Sequence, residues 1–213
     1  MSFLVEERLK RLFPQAIFKR DSLLYWDGGP ADVFNKTAFT NTATAVGTNI
    51  HRADSITFNG TTSKVDCGSE VVGVGNITLL AWFNAVGYGE TNVGRIVDNG
   101  KFWARVNSTG SKITVTSDGV TEVSSADDSA PTATEVFVAV TRTSAGVVNI
   151  YKNGVLSGSA DQASGTTEAG STNLFIGNNS GASATFDGTL SHVRVFNKIL
   201  TLEQIGQLYN TEK

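Results

Sequence analysis

The sequence predicts an all-β protein: an antiparallel β-sandwich of jelly-roll type, with a short helical arm before it and a short helix after it. Three observations carry this. Apolar runs of strand length, rich in Val, Ile and Phe, recur from residue 22 to residue 197. They are separated by Asn59-Gly60, Asn99-Gly100, Asp118-Gly119, Asn153-Gly154 and Asp187-Gly188, the pairs that tight hairpins need. Glycine is abundant and proline rare, 22 and 3 of 213 residues, which fits strands joined by turns. With 40% apolar and only 17% charged residues, the chain has the makings of a core, and disorder is excluded.

Residues 1–21 are expected to form an arm. Ser2 to Phe13 reads as an amphipathic helix, with Glu6 and Glu7 early and Lys10 and Arg11 late, as the helix dipole favours. Val5, Leu9, Leu12 and Phe13 fall near one face, and Pro14 ends the segment. Twelve residues are marginal as an isolated helix, so this one needs a surface to pack on. That surface is either its own domain or a partner, the arm then serving for anchoring or oligomerisation.

The sandwich is expected over residues 22–213. Its strands are Leu23–Trp26, Ser55–Phe58, Lys64–Cys67, Ile77–Asn84, Gly94–Val97, Phe102–Asn107, Lys112–Ser117, Val136–Arg142, Val147–Lys152, Leu174–Gly177 and Gly188–Asn197. Asn153-Gly154 supplies the two positive-φ residues of a type I′ turn. Trp82 is expected in the core, and so are Leu190, Val193 and Val195. After the last strand, Thr201-x-x-Gln204 forms a capping box, followed by the helical stripe Leu202, Ile205, Leu208 and Tyr209.

Composition also excludes functions. A net charge of −3 gives no nucleic-acid footprint. No apolar stretch approaches the roughly 20 residues that cross a bilayer. The charged N-terminus lacks the apolar core of a secretory signal, so export by the standard route is not expected. The single Cys67 excludes an intrachain disulfide and reads as a small buried hydrophobe, while two histidines, His51 and His192, exclude a multi-histidine metal centre.

The second half carries a more specific pattern: Val138–Arg142, then Val148–Gly154, Phe175–Gly177, Phe186–Asn197 and Leu200–Tyr209. It is preceded in order by Phe58–Thr61, Val65–Gly68 and Ile77–Phe83. This pattern resembles the laminin-G-like, pentraxin-like branch of the concanavalin A-like lectin/glucanase superfamily, from about Leu23 to Tyr209. The resemblance implies the same sandwich. It also implies two kinds of site. Glucanases of the superfamily carry alternating carboxylates, Glu-x-Asp-x-x-Glu, on one strand, and no such spacing occurs here. The acidic pair Asp127-Asp128 lies in a polar run and reads as solvated loop. Calcium binders of the family have an acidic first loop, which Asp27 and Asp32 resemble; hard oxygen ligands there would suit Ca²⁺. Ser191 stands where the family has an acidic residue, which weakens that expectation; no cofactor is required.

Strand alternation in Lys101–Asn107 puts Phe102, Ala104 and Val106 on one face and Lys101, Trp103, Arg105 and Asn107 on the other. With the first set in the core, Trp103 stands on an open face as a glycan platform, rimmed by Tyr88 from the glycine-flanked loop 87–89; otherwise a loop or a second subunit covers it. The sequence thus points to a non-catalytic structural or binding protein. One form is a virion surface component of bacteriophage type: a capsid decoration, head-fibre or tail protein, bound to a capsid or tail protein through the arm and carrying glycan affinity of its own. The other is a cell-surface or secreted carbohydrate-binding module.

Overall fold

The computed structural model describes residues 24–26, 44–47, 50–51 and 55–212. The predicted arm, with Val5, Leu9, Leu12 and Phe13, and the acidic pair Asp27 and Asp32 lie outside them.

The described chain forms two antiparallel sheets. The strands are β1 (Leu24–Trp26), β2 (Thr44–Val46), β3 (Ile50–His51), β4 (Ser55–Asn59), β5 (Lys64–Asp66), β6 (Ile77–Ala85), β7 (Arg95–Asp98), β8 (Trp103–Asn107) and β9 (Lys112–Thr116). They continue as β10 (Val123–Ser124), β11 (Glu135–Arg142), β12 (Val147–Lys152), β13 (Val155–Leu156), β14 (Gln162–Ala163), β15 (Phe175–Ile176) and β16 (Asp187–Phe196), and helix α1 (Leu202–Glu212) closes the chain. The nine-stranded sheet runs β13-β12-β11-β6-β16-β4-β3, with β14 also on β12 and β1 also on β16. The seven-stranded sheet runs β10-β9-β8-β7-β15-β5-β2. All the longer strands fall where the sequence places them. The five that it did not predict (β2, β3, β10, β13 and β14) have two or three residues each, too short for an alternation to register.

The apolar run of β6 is buried almost throughout because both of its faces are covered. Ile77, Leu79, Ala81, Phe83 and Ala85 enter the core between the sheets, with Val136, Val138 and Val140 of β11 beside them. Leu80 and Trp82 point the other way, with Phe137 and Ala139 of β11, into a second core under α1. From the facing sheet, Ile96, Val97, Phe102, Ala104, Val106, Ile113 and Val115 complete the first core. Trp82 is buried as expected, but in the second core, where Tyr209 of α1 stacks on it at 5.7 Å and 22°.

Local chemistry sets the joints. Asn153 and Gly154 have φ of 50° and 80°, the two positive values that the β12–β13 hairpin requires. The Thr201 amide donates to Gln204 Oε1 at 2.9 Å and the Gln204 amide to Thr201 Oγ1 at 3.2 Å, so the capping box forms at the start of α1. In β16 the pairing with β6 slips between Ser191 and Arg194, a β-bulge marked by His192 at φ 49°. That extra residue is why Leu190, Val193 and Val195 all face the core, fully buried, although their numbers change parity.

Two glycines separate the space that the fold lacks from the space that it leaves. Gly177 has φ +77°, and a Cβ there would lie 2.0 Å from the Phe58 ring; a Cβ on Gly206, inside α1, would meet nothing within 4 Å. Gly206→Ala should therefore stabilise by about 0.5–1 kcal/mol through helix propensity. Gly177→Ala should cost several-fold more than that gain, through clash and backbone strain combined. Urea denaturation of the two variants checks both signs.

Candidate functional site

The outward side chains of β8 meet those of β7 across the seven-stranded sheet, in the register Asp98 opposite Trp103 and Arg95 opposite Arg105. Trp103 stands on the outward side, away from Phe102, Ala104 and Val106, as alternation requires. It is not the open platform that the sequence suggested. Its ring is only 5% exposed, because the Arg95 guanidinium lies 3.9 Å from the ring centroid and that of Arg105 4.8 Å from it. Cations are drawn to an indole face by its quadrupole, and these two long side chains cover the ring more closely than a loop would.

Each guanidinium is tied to a carboxylate. Arg95 Nε lies 2.9 Å from Asp98 Oδ2, and Arg105 Nη2 donates to both Glu122 oxygens at 2.9 and 2.8 Å. The cluster is therefore neutral in sum. Burial lowers the Arg95 pKa against the pull of Asp98, and burial raises that of Asp98 against the pull of Arg95. Arg95 Nη1 and Arg105 Nε are buried without a hydrogen-bond acceptor. The rims reach solvent: the side chains of Arg95, Arg105 and Glu122 are 13%, 14% and 40% exposed.

Of the five residues expected around a glycan, the structure brings together only Trp103 and Arg105. Lys101 sits in the turn before β8, with its ammonium 2.6 Å from Glu168. Asn107, at the far end of β8, accepts from the Thr109 amide at 2.9 Å and shapes the hairpin. Tyr88 packs against the inter-sheet core, and its hydroxyl meets Ser111 Oγ at 2.5 Å. Ser111 precedes β9 at that same far end, one residue beyond Lys112, the partner of Asn107, and so roughly 16 Å along the strand from Trp103; Tyr88 does not rim the Trp103 cluster. In exchange the structure adds Arg95, Asp98 and Glu122. Strict alternation would put Arg95 and Asp98 on opposite faces, but a register shift between Arg95 and Val97 lets both face outward while Ile96 and Val97 stay in the core. The Arg95-x-x-Asp98 spacing was the one available signal; Glu122 comes from beyond a hairpin and left none.

Glu122 is positioned by the β9–β10 turn, which Asp118 holds. Its Oδ1 accepts from the Val120 and Thr121 amides at 2.7 and 2.6 Å and from Thr116 Oγ1 at 2.8 Å, and its Oδ2 from Thr121 Oγ1 at 2.8 Å. Burial, the largest single influence, raises its pKa, but these bonds together outweigh it and hold the carboxyl well below the usual range.

Elsewhere, Asp127 and Asp128 are exposed, as expected of solvated loop, and Asp127 pairs with Lys112 at 2.9 Å. Cys67 is 3% exposed, and burial pushes its thiol pKa upward, which makes it unreactive. Among the described residues no three His, Cys, Asp or Glu side chains gather as a metal-binding group, and no helix is long and apolar enough to cross a membrane.

Residues 59–206 match the family described as the concanavalin A-like lectin/glucanases superfamily. The chain belongs to this superfamily. No curated protein matches the sequence. Several solved structures share the superfamily fold. The binding domain of botulinum neurotoxin serotype D is 13% identical, with TM-score 0.68, covering 92% of this chain and 53% of that one. The botulinum neurotoxin DC binding domain in complex with rat synaptotagmin II is 14% identical, with TM-score 0.69 and coverage of 92% and 52%. Domain 4 of AbnA, an extracellular GH43 arabinanase from Geobacillus stearothermophilus, in complex with arabinotriose, is 16% identical, with TM-score 0.60 and coverage of 79% and 87%. This superfamily member thus spans about half the length of the toxin domains, and at such identities the likeness is one of fold.

Because the folded-state pKa of Asp118 lies below its unfolded value, its stabilisation is fully present above about pH 4 and is lost progressively as pH falls below that, towards the folded-state value. Hydrogen-exchange protection at the Val120 and Thr121 amides, taken against the intrinsic rate at each pH, should fall on acidification, and Asp118→Ala should show that loss of protection already at neutral pH.

Proposed function

We propose that this chain is a non-catalytic recognition module that binds glycans on the outer face of its seven-stranded sheet, at Arg95, Trp103, Arg105 and Glu122. The observation that carries this is the pair of guanidinium donors, Arg95 Nη1 and Arg105 Nε, buried without an acceptor. Buried donors are nearly always satisfied in folded proteins, and exceptions mark sites. A glycan brings hydroxyl and ring oxygens that accept, and hydroxyl protons for Glu122, without asking the neutral cluster to part from its own counter-charges. The likeness in fold to a domain in complex with arabinotriose supports the reading by analogy.

Catalysis is not part of the proposal. Asp98 and Glu122 are each committed to a guanidinium, which leaves neither free for the acid or nucleophile role of glycoside hydrolysis. The arabinanase is extracellular, and one toxin binding domain is held in complex with synaptotagmin II, which supports an extracellular or surface-exposed module. The virion component expected from the sequence would attach through the arm, which lies outside the described residues, and the binding domains named above lend it no support.

On an array of neutral and acidic glycans, the wild-type chain should bind a defined subset. Arg105→Gln and Glu122→Gln, folded as judged by unchanged thermal midpoints, should each weaken that binding by about tenfold or more. Equal binding by both variants overturns the site, and release of sugar from a glucan or arabinan panel overturns the non-catalytic assignment.

A further inference from the structure

On the outer face of the nine-stranded sheet, α1 packs over Leu80, Trp82, Phe137 and Phe196. Beside it, where β16 and β4 carry hydroxyls, lies a cavity of about 360 Å³, near the lower end of the range for small-molecule pockets, about 300–1,000 Å³. We propose that this cavity is a binding site for a small, uncharged, polyhydroxylated molecule, such as a single sugar ring. It is separate from the Trp103 cluster, which lies on the opposite outer face of the sandwich, and it does not depend on that reading.

Three observations carry the proposal. Register across the sheet places Ser55 opposite Ser191 and Ser191 opposite Trp82, and all three line the cavity with Thr189. A row of hydroxyls thus ends on an indole, the combination of hydrogen-bonding floor and aromatic wall that a sugar ring fits. Trp82 is only 4% exposed, and its Nε1–H is buried with no acceptor; its ring is locked by Tyr209 and Phe137, so the donor cannot turn to find one within the protein. Third, the β16 bulge brings both Ser191 and His192 to the cavity wall, and bulges commonly re-aim side chains beside sites.

Charge selects the class of ligand. Glu135 and Glu212 both line the cavity. Among the described residues, Arg194 is the cation paired with Glu212, and it is fully buried. An anionic ligand would therefore meet two carboxylates, with Arg194 already committed to one of them. A cationic group has no lone pair to give the Trp82 N–H. A neutral polyol supplies both needs, with hydroxyl oxygens for the indole and hydroxyl protons for the serines and Glu135.

The test is proton–nitrogen NMR of the indole groups, with Trp82 assigned by Trp82→Phe or, should that variant not fold, by elimination through Trp26→Phe and Trp103→Phe. The probes are glucose, galactose, arabinose and N-acetylglucosamine, with glucuronate and glucosamine as charged controls. At least one neutral sugar should shift the Trp82 indole resonance saturably, with a dissociation constant on the order of 1 mM. Ser191→Val, which fills the wall opposite Trp82, should weaken this by about tenfold or more. The proposal is overturned by a Trp82 resonance that no neutral sugar moves at about 50 mM, roughly fifty times that constant. It is equally overturned by a shift of equal affinity in Ser191→Val, or by tighter binding of either charged control.

Discussion

Strand β6 has to bury both faces, and the rest of the architecture follows from that constraint. Nine residues, Ile77–Ala85, include no charged side chain, so neither side can be left to water without exposing several large apolar groups at about 1.5–3 kcal/mol each. One side is met by the second sheet and the other by α1. The helix is therefore part of the fold rather than an appendage: Ile205, Leu208 and Tyr209 sit on Leu80, Trp82, Phe137 and Phe196. Its far end is fastened by Arg194 and Glu212, a buried ion pair of the kind that fixes geometry more than it adds stability.

The capping box starts α1, and the buried Arg194–Glu212 pair holds its last described turn against β16. Among the described residues, the helix covers the part of the outer face formed by Leu80, Trp82, Phe137 and Phe196. The strands beyond β6 then carry hydroxyls where β11 carries Phe137 and Ala139: Ser191 and Thr189 on β16, and Ser55 and Thr57 on β4. Polarity on that face thus follows the edge of the helix, which is why an indole in the apolar half comes to stand beside a hydroxyl-lined hollow.

Much of this was legible in the sequence. The longer strands, the Asn153-Gly154 turn and the capping box all follow from local periods and turn chemistry, which act within a few residues. What was not legible depends on interactions between distant segments or on breaks in period. Alternation assigned Trp103 to the correct face but could not say what lies over it, because Arg95 arrives from a neighbouring strand and Arg105 folds back along its own. The register shift in β7 hid the shared face of Arg95 and Asp98, and the bulge in β16 hid the adjacency of Ser191 and His192. Tyr88 was misplaced for a simpler reason. A glycine-flanked loop reads as free to rim a groove, whereas its ring found the core and its hydroxyl found Ser111.

Trp82 and Trp103 show two solutions to one problem, an indole on the outward face of a sheet. Trp82 is covered by an aromatic helix, which shields the ring but offers its N–H nothing in return. Trp103 is covered by guanidiniums, which shield the ring but import charges that must themselves be satisfied, and Asp98 and Glu122 satisfy only some of their donors. In each case the covering group is well packed and the unmet hydrogen bond lies at its margin. Folding alone gives no reason to leave such donors unmet, since one carbonyl or hydroxyl nearby would serve each of them. In both proposed sites the unmet donor is held at the edge of an aromatic ring, where an oxygen from outside the chain is its proposed partner.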